Sequence, residues 1–492
     1  MIRKLFILIF ICFSCSGVMG AEGQSFPLTL RDAMNRARTN SVDAEVALNQ
    51  LKSAYWAYRT YKAELLPELS LVATLPSYHK QYSPYMDDTG SYTFVSNNYL
   101  QLNGELSITQ NIWLTGGQLS VTSSLDFYRQ LGFGSFNQFM SIPVALTLSQ
   151  PIFGVNNIKW DRKIEPVRYE EAKAEFLSAT EKVALLAIQY YFSFLLAKEN
   201  LTIALSNLES AEKLYDVAIE KREMGRVSKN DLLQMELNLL NSRTEVTNCK
   251  SSYKSSMFQL ITFLDYEEGT DIMANVPEDV PFVEIDYPDA LAKAERNNSF
   301  SKNILRVQLE ADYAVARAKS AQREINLFAQ VGYTGTDHYF GGCYDNLKPN
   351  QVVQIGFEIP LIDWGRRRGQ VKVAESNRKL VESQVHQETM NFRQNLFILI
   401  ERYGNQLQQL QIAKRADEIA QKRYATNEET FLIGKISTLD LNDSRVKKDE
   451  ARRNYLNELY LFWYYYYQIR SLTLWDYALN SPIDADIETF VK

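Results

Sequence analysis

The chain of 492 residues contains few of the residues that mark enzymes and metal sites. It has only three histidines, which lie far apart and have no second ligand at metal-binding spacing, so we predict no metal site. They are His79, His338 and His386. No Ser-His-Asp, Cys-His or paired-carboxylate arrangement accompanies them, so neither catalysis nor a cofactor is expected.

Cysteine is equally scarce, and half of it lies in an N-terminal leader. Residues 1–20 combine a basic start, an apolar stretch and small residues ending at Gly20, which is the pattern of a secretory signal peptide. We expect cleavage after Gly20, and a lipid-anchor site at Cys15 is the alternative. Only Cys249 and Cys343 then remain. One lies on a predicted helix and the other in a Gly-rich loop, so a disulfide framework is not expected.

Basic charge and long apolar runs are also lacking. Loss of the leader removes two basic residues and no acidic ones, so the mature chain has a net charge of −8. An acidic exported chain is a poor partner for nucleic acid. After the leader no apolar run reaches the roughly 18 residues that suggest a transmembrane helix. Any membrane contact must therefore come from another kind of element.

The chain is internally duplicated. Gly225, Ser228 and Asp231 recur as Gly434, Ser437 and Asp440, each 209 residues later. The segment "DAMNRARTN" at 32–40 matches "DALAKAERN" at 289–297, with an offset of 257. The first half therefore contains about 48 residues that the second half lacks, somewhere between 74 and 143. We divide the chain into the leader, 1–20, a first repeat, 21–275, and a second repeat, 276–492.

Each repeat is predicted to contain a helix, a β region and two long helices. The helical pattern runs from about 156 to 224 and on to 264, and again from about 364 to 432 and on to 472. Apolar residues recur there at alternating spacings of four and three, which indicates coiled-coil packing. The first helix of each pair would be roughly 100 Å long. The aromatic run "FWYYYYQIR" at 462–470 is expected to pack against neighbouring elements.

The β segments alternate between apolar and polar residues. In "LQLNGELSITQNI" at 100–112, leucines and isoleucines alternate with Gln, Asn, Glu, Ser and Thr. Such segments of about ten residues are typical of a membrane β-barrel, although a soluble sheet with one covered face alternates in the same way. We favour the barrel because the chain is predicted to be exported and no nearby amphipathic element could cover the apolar face.

This duplicated order resembles the TolC family of outer-membrane efflux proteins. The matching segments are "FPLTLRDAMNRARTNS", "LLPELSL", "LSQPIF" and "IGKISTLDLNDSR". The resemblance covers essentially the whole mature chain. It implies a homotrimer in the outer membrane of a Gram-negative bacterium, with a shared β-barrel in the lipid and a helical barrel in the periplasm. It also implies a periplasmic adaptor protein and an inner-membrane transporter as partners in efflux or type I secretion.

The chain departs from the family pattern in its β region. The additional residues include "WLTGGQ" at 113–118, a Gly-Gly turn between two alternating segments. One further hairpin would give six strands per protomer where the family usually has four. This hairpin either widens the barrel or folds over its outside or its mouth, and we favour membrane strands.

Asp440 and Asp443 lie three residues apart at the start of the last long helix, where two like charges repel. Asp440 fits a capping box with Ser437, as Asp231 does with Ser228. Capping does not explain Asp443. The resemblance implies that Asp440 and Asp443 form a channel constriction that favours cations.

The resemblance also assigns roles to other residues at the helix tips. Asp231 would belong to a network that closes the tip, but Phe431 and Ile436 stand where the family has a tyrosine and an arginine. The two tips match the site at which the family docks its adaptor, although the glycines are also explained by the turns alone. The docking residues are Gly225, Arg226, Val227, Ser228, Gly434, Lys435 and Ser437.

Three questions stay open. "GRRRGQ" at 365–370 is expected near lipid headgroups, although an arginine facing the lumen could tune selectivity. The alternative to an export duct is a coiled-coil periplasmic adaptor or scaffold without a pore. The cargo is not evident, since drugs, metal ions and proteins all remain open.

Overall fold

The computed structural model describes residues 26–86, 88–131, 135–225, 227–277, 280–323, 325–357, 362–432, 435–436 and 438–484. The predicted leader lies outside these ranges. The helices are α1 Leu30–Asn40, α2 Val42–Glu64, α3 Asn157–Glu223, α4 Lys229–Phe263, α5 Tyr287–Asn297, α6 Ser299–Ser320, α7 Gly342–Asp345, α8 Arg366–Leu432 and α9 Thr438–Thr473. The strands are β1 Phe26–Leu28, β2 Glu68–Met86, β3 Tyr92–Ile112, β4 Gly117–Gln130, β5 Asn137–Pro151, β6 Ile272–Ala274, β7 Ile325–Asp337, β8 Lys348–Phe357, β9 Trp475–Asp476 and β10 Ser481–Pro482.

The duplication is visible element by element. Helices α1 and α5 both have 11 residues, and each is followed at once by another helix. The long helices α3 and α8 both have 67 residues. Their ends fall within one or two residues of those predicted, because the apolar spacing continues up to each turn.

A six-stranded antiparallel sheet contains the strands of both repeats in the order β2-β3-β4-β5-β7-β8. The additional hairpin is β3–β4, and β4 pairs with β3 on one side and with β5 on the other. The prediction of six strands is therefore confirmed, and the hairpin is an integral part of the sheet. Strands β2 and β8 form the two edges.

The two faces of this sheet differ as the alternation predicts. One apolar row crosses five strands, from Leu69 through Ile108, Val121 and Leu146 to Val331. These side chains are between 38% and 65% exposed, so the apolar face is open in the isolated chain. On the other face Asn103 donates a hydrogen bond to Asp126 at 2.8 Å.

The connection between β7 and β8 packs against the sheet. It contains α7, and the Ser141 hydroxyl donates to the backbone oxygen of Cys343 at 2.6 Å. Cys343 and Cys249 are both buried and free.

Two compact units can be distinguished, and each takes segments from both repeats. The first consists of the described parts of 1–44, 182–282 and 405–467. Its strands β1 and β6 pair in parallel, and the buried Tyr191 hydroxyl donates to the Asn275 carbonyl at 2.7 Å. Burial raises the pKa of Tyr191 to about 12. Phe462 and Tyr466 of the aromatic run are buried in this unit, as expected from the sequence.

The second unit consists of the described parts of 45–181, 283–404 and 468–492, and it holds the six-stranded sheet. Arg470 is buried in it and bonds to Glu181 at 3.1 Å and to Asp476. Burial opposes the charge of Asp476, but the Arg470 guanidinium and two backbone N–H groups outweigh it and lower the pKa of this carboxyl. The unit thus combines an open apolar sheet face with a buried ionic cluster.

Candidate functional site

The first helix tip joins α3 to α4 through a glycine turn and a capping box. Gly225 has a φ of +72°, the left-handed conformation that favours glycine at the end of a helix. The Ser228 hydroxyl accepts from the backbone N–H of Asp231 at 3.1 Å and donates to the Asp231 carboxylate at 2.7 Å. Ser228 therefore caps the first turn of α4, and its hydroxyl also holds the Asp231 carboxylate.

The second helix tip joins α8 to α9. The backbone N–H of Lys435 donates to the Thr430 carbonyl at 3.1 Å, which closes the end of α8. Asp440 lies exposed in the first turn of α9. Its proposed capping partner, Ser437, lies outside the described residues, as do Gly434 of this tip and Arg226 of the first tip.

Asp443 has a partner that the sequence reasoning missed. Its carboxylate accepts from the Arg423 guanidinium on α8 at 2.8 Å, and both side chains are about half exposed. This ion pair crosses the hairpin and offsets the repulsion between Asp440 and Asp443. The sequence could have indicated this pair. Residues equally distant from the turn of an antiparallel hairpin face each other, and positions 423 and 443 both lie ten residues from position 433.

The first tip has no ionic counterpart at the duplicated positions. Leu214 and Gln234 stand where the second repeat has Arg423 and Asp443. Gln234 donates to Asn238 of its own helix at 3.2 Å. The duplication therefore preserved the pair of long helices, while the charges near the turn diverged.

Behind the second tip, a partly buried ionic cluster ties three long helices together. Arg452 of α9 bonds to Glu199 of α3 at 2.8 Å and to Asp417 of α8 at 3.2 Å. Burial opposes the charge of Arg452, but the hydrogen bonds and charges of the two carboxylates outweigh it and raise its pKa. Asn207 of α3 also donates to Asp449 of α9 at 3.1 Å. These contacts hold α9 between α3 and α8.

The other tip residues named from the sequence have distinct settings. Val227 and Ile436 are half-buried, whereas Ser228 and Lys435 are exposed. Phe431 lies in the last turn of α8. The hydrogen-bond partner described for Asp231 is Ser228, on its own turn, so the proposed closing network with Phe431 and Ile436 remains a prediction.

Comparison with protein families identifies the class to which this arrangement belongs. The model of the family "Outer membrane efflux protein" matches residues 33–264 and 293–462. These two matches include all six strands of the large sheet and both long hairpins, except for the C-terminal part of α9. The chain belongs to the outer membrane efflux protein family.

Solved outer-membrane channels share the fold. The Campylobacter jejuni CmeC outer membrane channel is 15% identical, with a TM-score of 0.65 over 99% of this chain and 96% of that chain. The Vibrio cholerae outer membrane protein VceC is 13% identical, with a TM-score of 0.62 over 92% of this chain and 97% of that one. The Neisseria gonorrhoeae MtrE outer membrane channel, in its open state, is 13% identical, with a TM-score of 0.58 over 93% of this chain and 90% of that one. Comparison with curated protein sequences finds no match.

The family establishes the general function of the chain. It is the outer-membrane exit duct of an efflux system, and nothing supports the pore-free scaffold that the helices alone would allow. None of the helices in the described ranges is both long and apolar enough to cross a membrane.

Proposed function

We propose that three copies of the chain assemble into one duct in the outer membrane of a Gram-negative bacterium, with the long helices in the periplasm. The observation that carries this proposal is the sheet, which has an exposed apolar face and two edge strands, β2 and β8. Open strand edges are not tolerated in lipid, so each edge must pair with another copy. Three copies would supply eighteen strands.

The second tip forms the constriction of this duct. Asp440 and Asp443 are close in sequence on one helix, and three copies would bring six carboxylates to the entrance. A ring of carboxylates attracts cations and repels anions. Arg423 partly neutralises the Asp443 carboxylates because it bonds to Asp443.

Closure of the tip is weaker than in relatives that carry a tyrosine and an arginine at the positions of Phe431 and Ile436. The Phe431→Tyr/Ile436→Arg variant should therefore conduct less at rest than the wild type, if these residues reach Asp231. An unchanged resting conductance would show that positions 431 and 436 do not contribute to closing the tip.

Both tips dock a periplasmic adaptor, which connects the duct to an inner-membrane pump. The docking residues are Gly225, Arg226, Val227, Ser228, Gly434, Lys435 and Ser437. Ser228 and Lys435 are exposed, and the Gly225 position has no neighbour that an added Cβ would meet. A partner helix can therefore approach the first tip closely. The pump supplies the energy and selects the cargo.

The direct test is the conductance of the purified chain in planar lipid bilayers, together with its mass in solution. The proposal predicts discrete channel events from a trimer. A folded trimer that gives no channel would contradict the proposal. A conducting assembly of another size would keep the duct but contradict the number of three copies. Cysteines introduced at Ser228 and Lys435 should cross-link to an adaptor, whereas a cysteine at Lys250, on the exposed surface of α4, should not.

A further inference from the structure

The six-stranded sheet meets the helices in one continuous zone, which we call the junction belt. It comprises residues 59–66, 113–116, 152–163, 317–323 and 362–368, all in the second unit. Backbone-directed hydrogen bonds connect the segments. Gln110, at the end of β3, donates to the Leu65 carbonyl at 3.0 Å, and Asn156 donates to the Trp113 carbonyl at 2.9 Å.

The same kind of bond continues around the rest of the belt. Ser320 at the end of α6 donates to the Phe153 carbonyl at 2.8 Å. Arg367 at the start of α8 donates to the Ala321 carbonyl at 3.1 Å. The segments therefore lie side by side where the strands end, although they come from distant parts of the chain.

The junction belt is strongly basic within an acidic protein. It has eleven lysines and arginines against three acidic residues, whereas the whole chain has a net charge of −6. Among the exposed cations are Arg162, Arg366 and Arg368. One of the three acids, Asp363, accepts hydrogen bonds from the backbone of Gly365 and Arg367. This concentration of positive charge favours an anionic partner.

Large apolar side chains lie exposed among these cations. Trp364 is 95% exposed and Trp113 is 49% exposed. Ile152, Phe153, Leu114 and Ile362 are exposed as well. The Arg162 guanidinium lies over the Trp113 ring, 4.1 Å from its centroid. Tryptophan and basic side chains together are typical of the membrane–water interface, where rings and cations face lipid headgroups.

The backbone at Trp364 supports a role for its exposure. Trp364 has a φ of +53°, a conformation uncommon for residues other than glycine, and Gly365 follows with +87°. Asp363 holds this turn through its two backbone hydrogen bonds, at 2.9 and 3.2 Å. Trp364 thus combines a fully exposed apolar side chain with an unfavourable backbone conformation, and such conformations cluster at functional sites.

We propose that the junction belt binds the headgroups of anionic phospholipids at the inner surface of the membrane, with Arg162, Arg366 and Arg368 on the phosphates and Trp113 and Trp364 in the interface. This inference rests on the proposed function, which places the sheet in the bilayer. The belt lies where the apolar face of the sheet ends, so the headgroup region meets it. Each cation near such a surface strengthens binding by about fivefold.

The test uses the full mature chain reconstituted in phosphatidylcholine vesicles that contain brominated phosphatidylglycerol or brominated phosphatidylcholine. Bromine quenches tryptophan on contact, so the ratio of the two quenching efficiencies measures the preference for the anionic lipid. We expect a preference for phosphatidylglycerol that weakens as salt is raised. The Arg366→Gln/Arg368→Gln variant should lower the preference severalfold.

A matched variant and a second readout make this test specific. Lys250→Gln/Lys254→Gln removes the same charge from the exposed surface of α4 and should retain the full preference. Equal preference for both lipids, or a preference that survives the arginine substitutions, would overturn the proposal. Altered ion selectivity with unaltered quenching would overturn it too, because the arginines would then face the lumen. Conductance in the same vesicles tests the duct itself, and a lipid preference in a chain that does not conduct would count against the duct alone.

Discussion

The two helical hairpins share one fold but carry different chemistry. The hairpin of α3 and α4 turns at Gly225 and begins again with the Ser228–Asp231 capping box. The hairpin of α8 and α9 carries a cross-hairpin ion pair, Arg423–Asp443. Leu214 and Gln234 occupy the corresponding positions of the first hairpin.

This difference separates what the fold needs from what the duct needs. Apolar spacing and turn residues appear in both copies, so they suffice for a hairpin. The ionic residues near the second tip are not needed for the turn, because the first tip forms without them. Their presence in only one copy is consistent with a constriction built from the second repeat.

The largest effect on stability is expected from Arg452, which corresponds to Arg243 of the first hairpin. Arg452→Met would leave the nearly buried Asp417 and the partly buried Glu199 without their cation. We expect a cost of about 3 kcal/mol, measured by thermal unfolding. Arg243→Met breaks an exposed pair with Glu212 at 3.3 Å, which should cost at most about 1 kcal/mol. Equal destabilisation by the two substitutions would show that the hairpins do not differ in this way.

A smaller and local effect is expected at the cap of the first tip. Ser228→Ala removes the hydroxyl that accepts from the Asp231 N–H, at a cost of about 1 kcal/mol. Hydrogen exchange should accelerate in the first turn of α4. Ser242→Ala is the control on the same helix, since Ser242 bonds only to the Asn238 carbonyl one turn back among its described contacts. If the two substitutions changed hydrogen exchange in the first turn of α4 to the same extent, the Ser228 cap would not stabilise this tip.

The smallest effect is expected when the second ion pair is copied into the first hairpin. Leu214→Arg/Gln234→Asp should change the free energy of unfolding by at most about 1 kcal/mol, because exposed ion pairs contribute little. It should also leave the ion selectivity of the channel unchanged, since the first tip is not the proposed constriction. A clear gain of cation selectivity would instead show that both tips line the channel.

Much of this fold was predictable from the sequence because its signals are local. The bounds of α3, α4, α8 and α9 follow from apolar spacing and turn residues. The six strands follow from alternation and from the offset between the repeats. The partners of Arg423 and Arg452 are separated by 20 to 253 residues, so local patterns do not show them. The hairpin geometry could have indicated Arg423, whereas the contact of Arg452 with Glu199 requires the packing of α9 against α3.

The junction belt shows the same limit. Its arginines at 366–368 are obvious in the sequence, but their neighbours are not. Only the three-dimensional structure brings Arg367 to the end of α6 and Trp113 to Arg162. Trp364 adopts a left-handed backbone conformation, which the sequence alone does not predict for a tryptophan.

The most direct test of the proposed constriction is the reversal potential of single channels across a salt gradient. We predict that the wild type prefers cations and that Asp440→Asn/Asp443→Asn loses this preference. Arg423→Gln should increase the preference, because the Asp443 carboxylate keeps its negative charge but loses its positive partner. Arg423→Gln and Asp443→Asn both break the Arg423–Asp443 ion pair, but only Asp443→Asn removes a negative charge. The arginine variant therefore distinguishes the effect of the charge on selectivity from the effect of losing the contact. If all three proteins gave the same reversal potential, Asp440 and Asp443 would serve only the helix start and the hairpin contact, and the constriction would lie elsewhere.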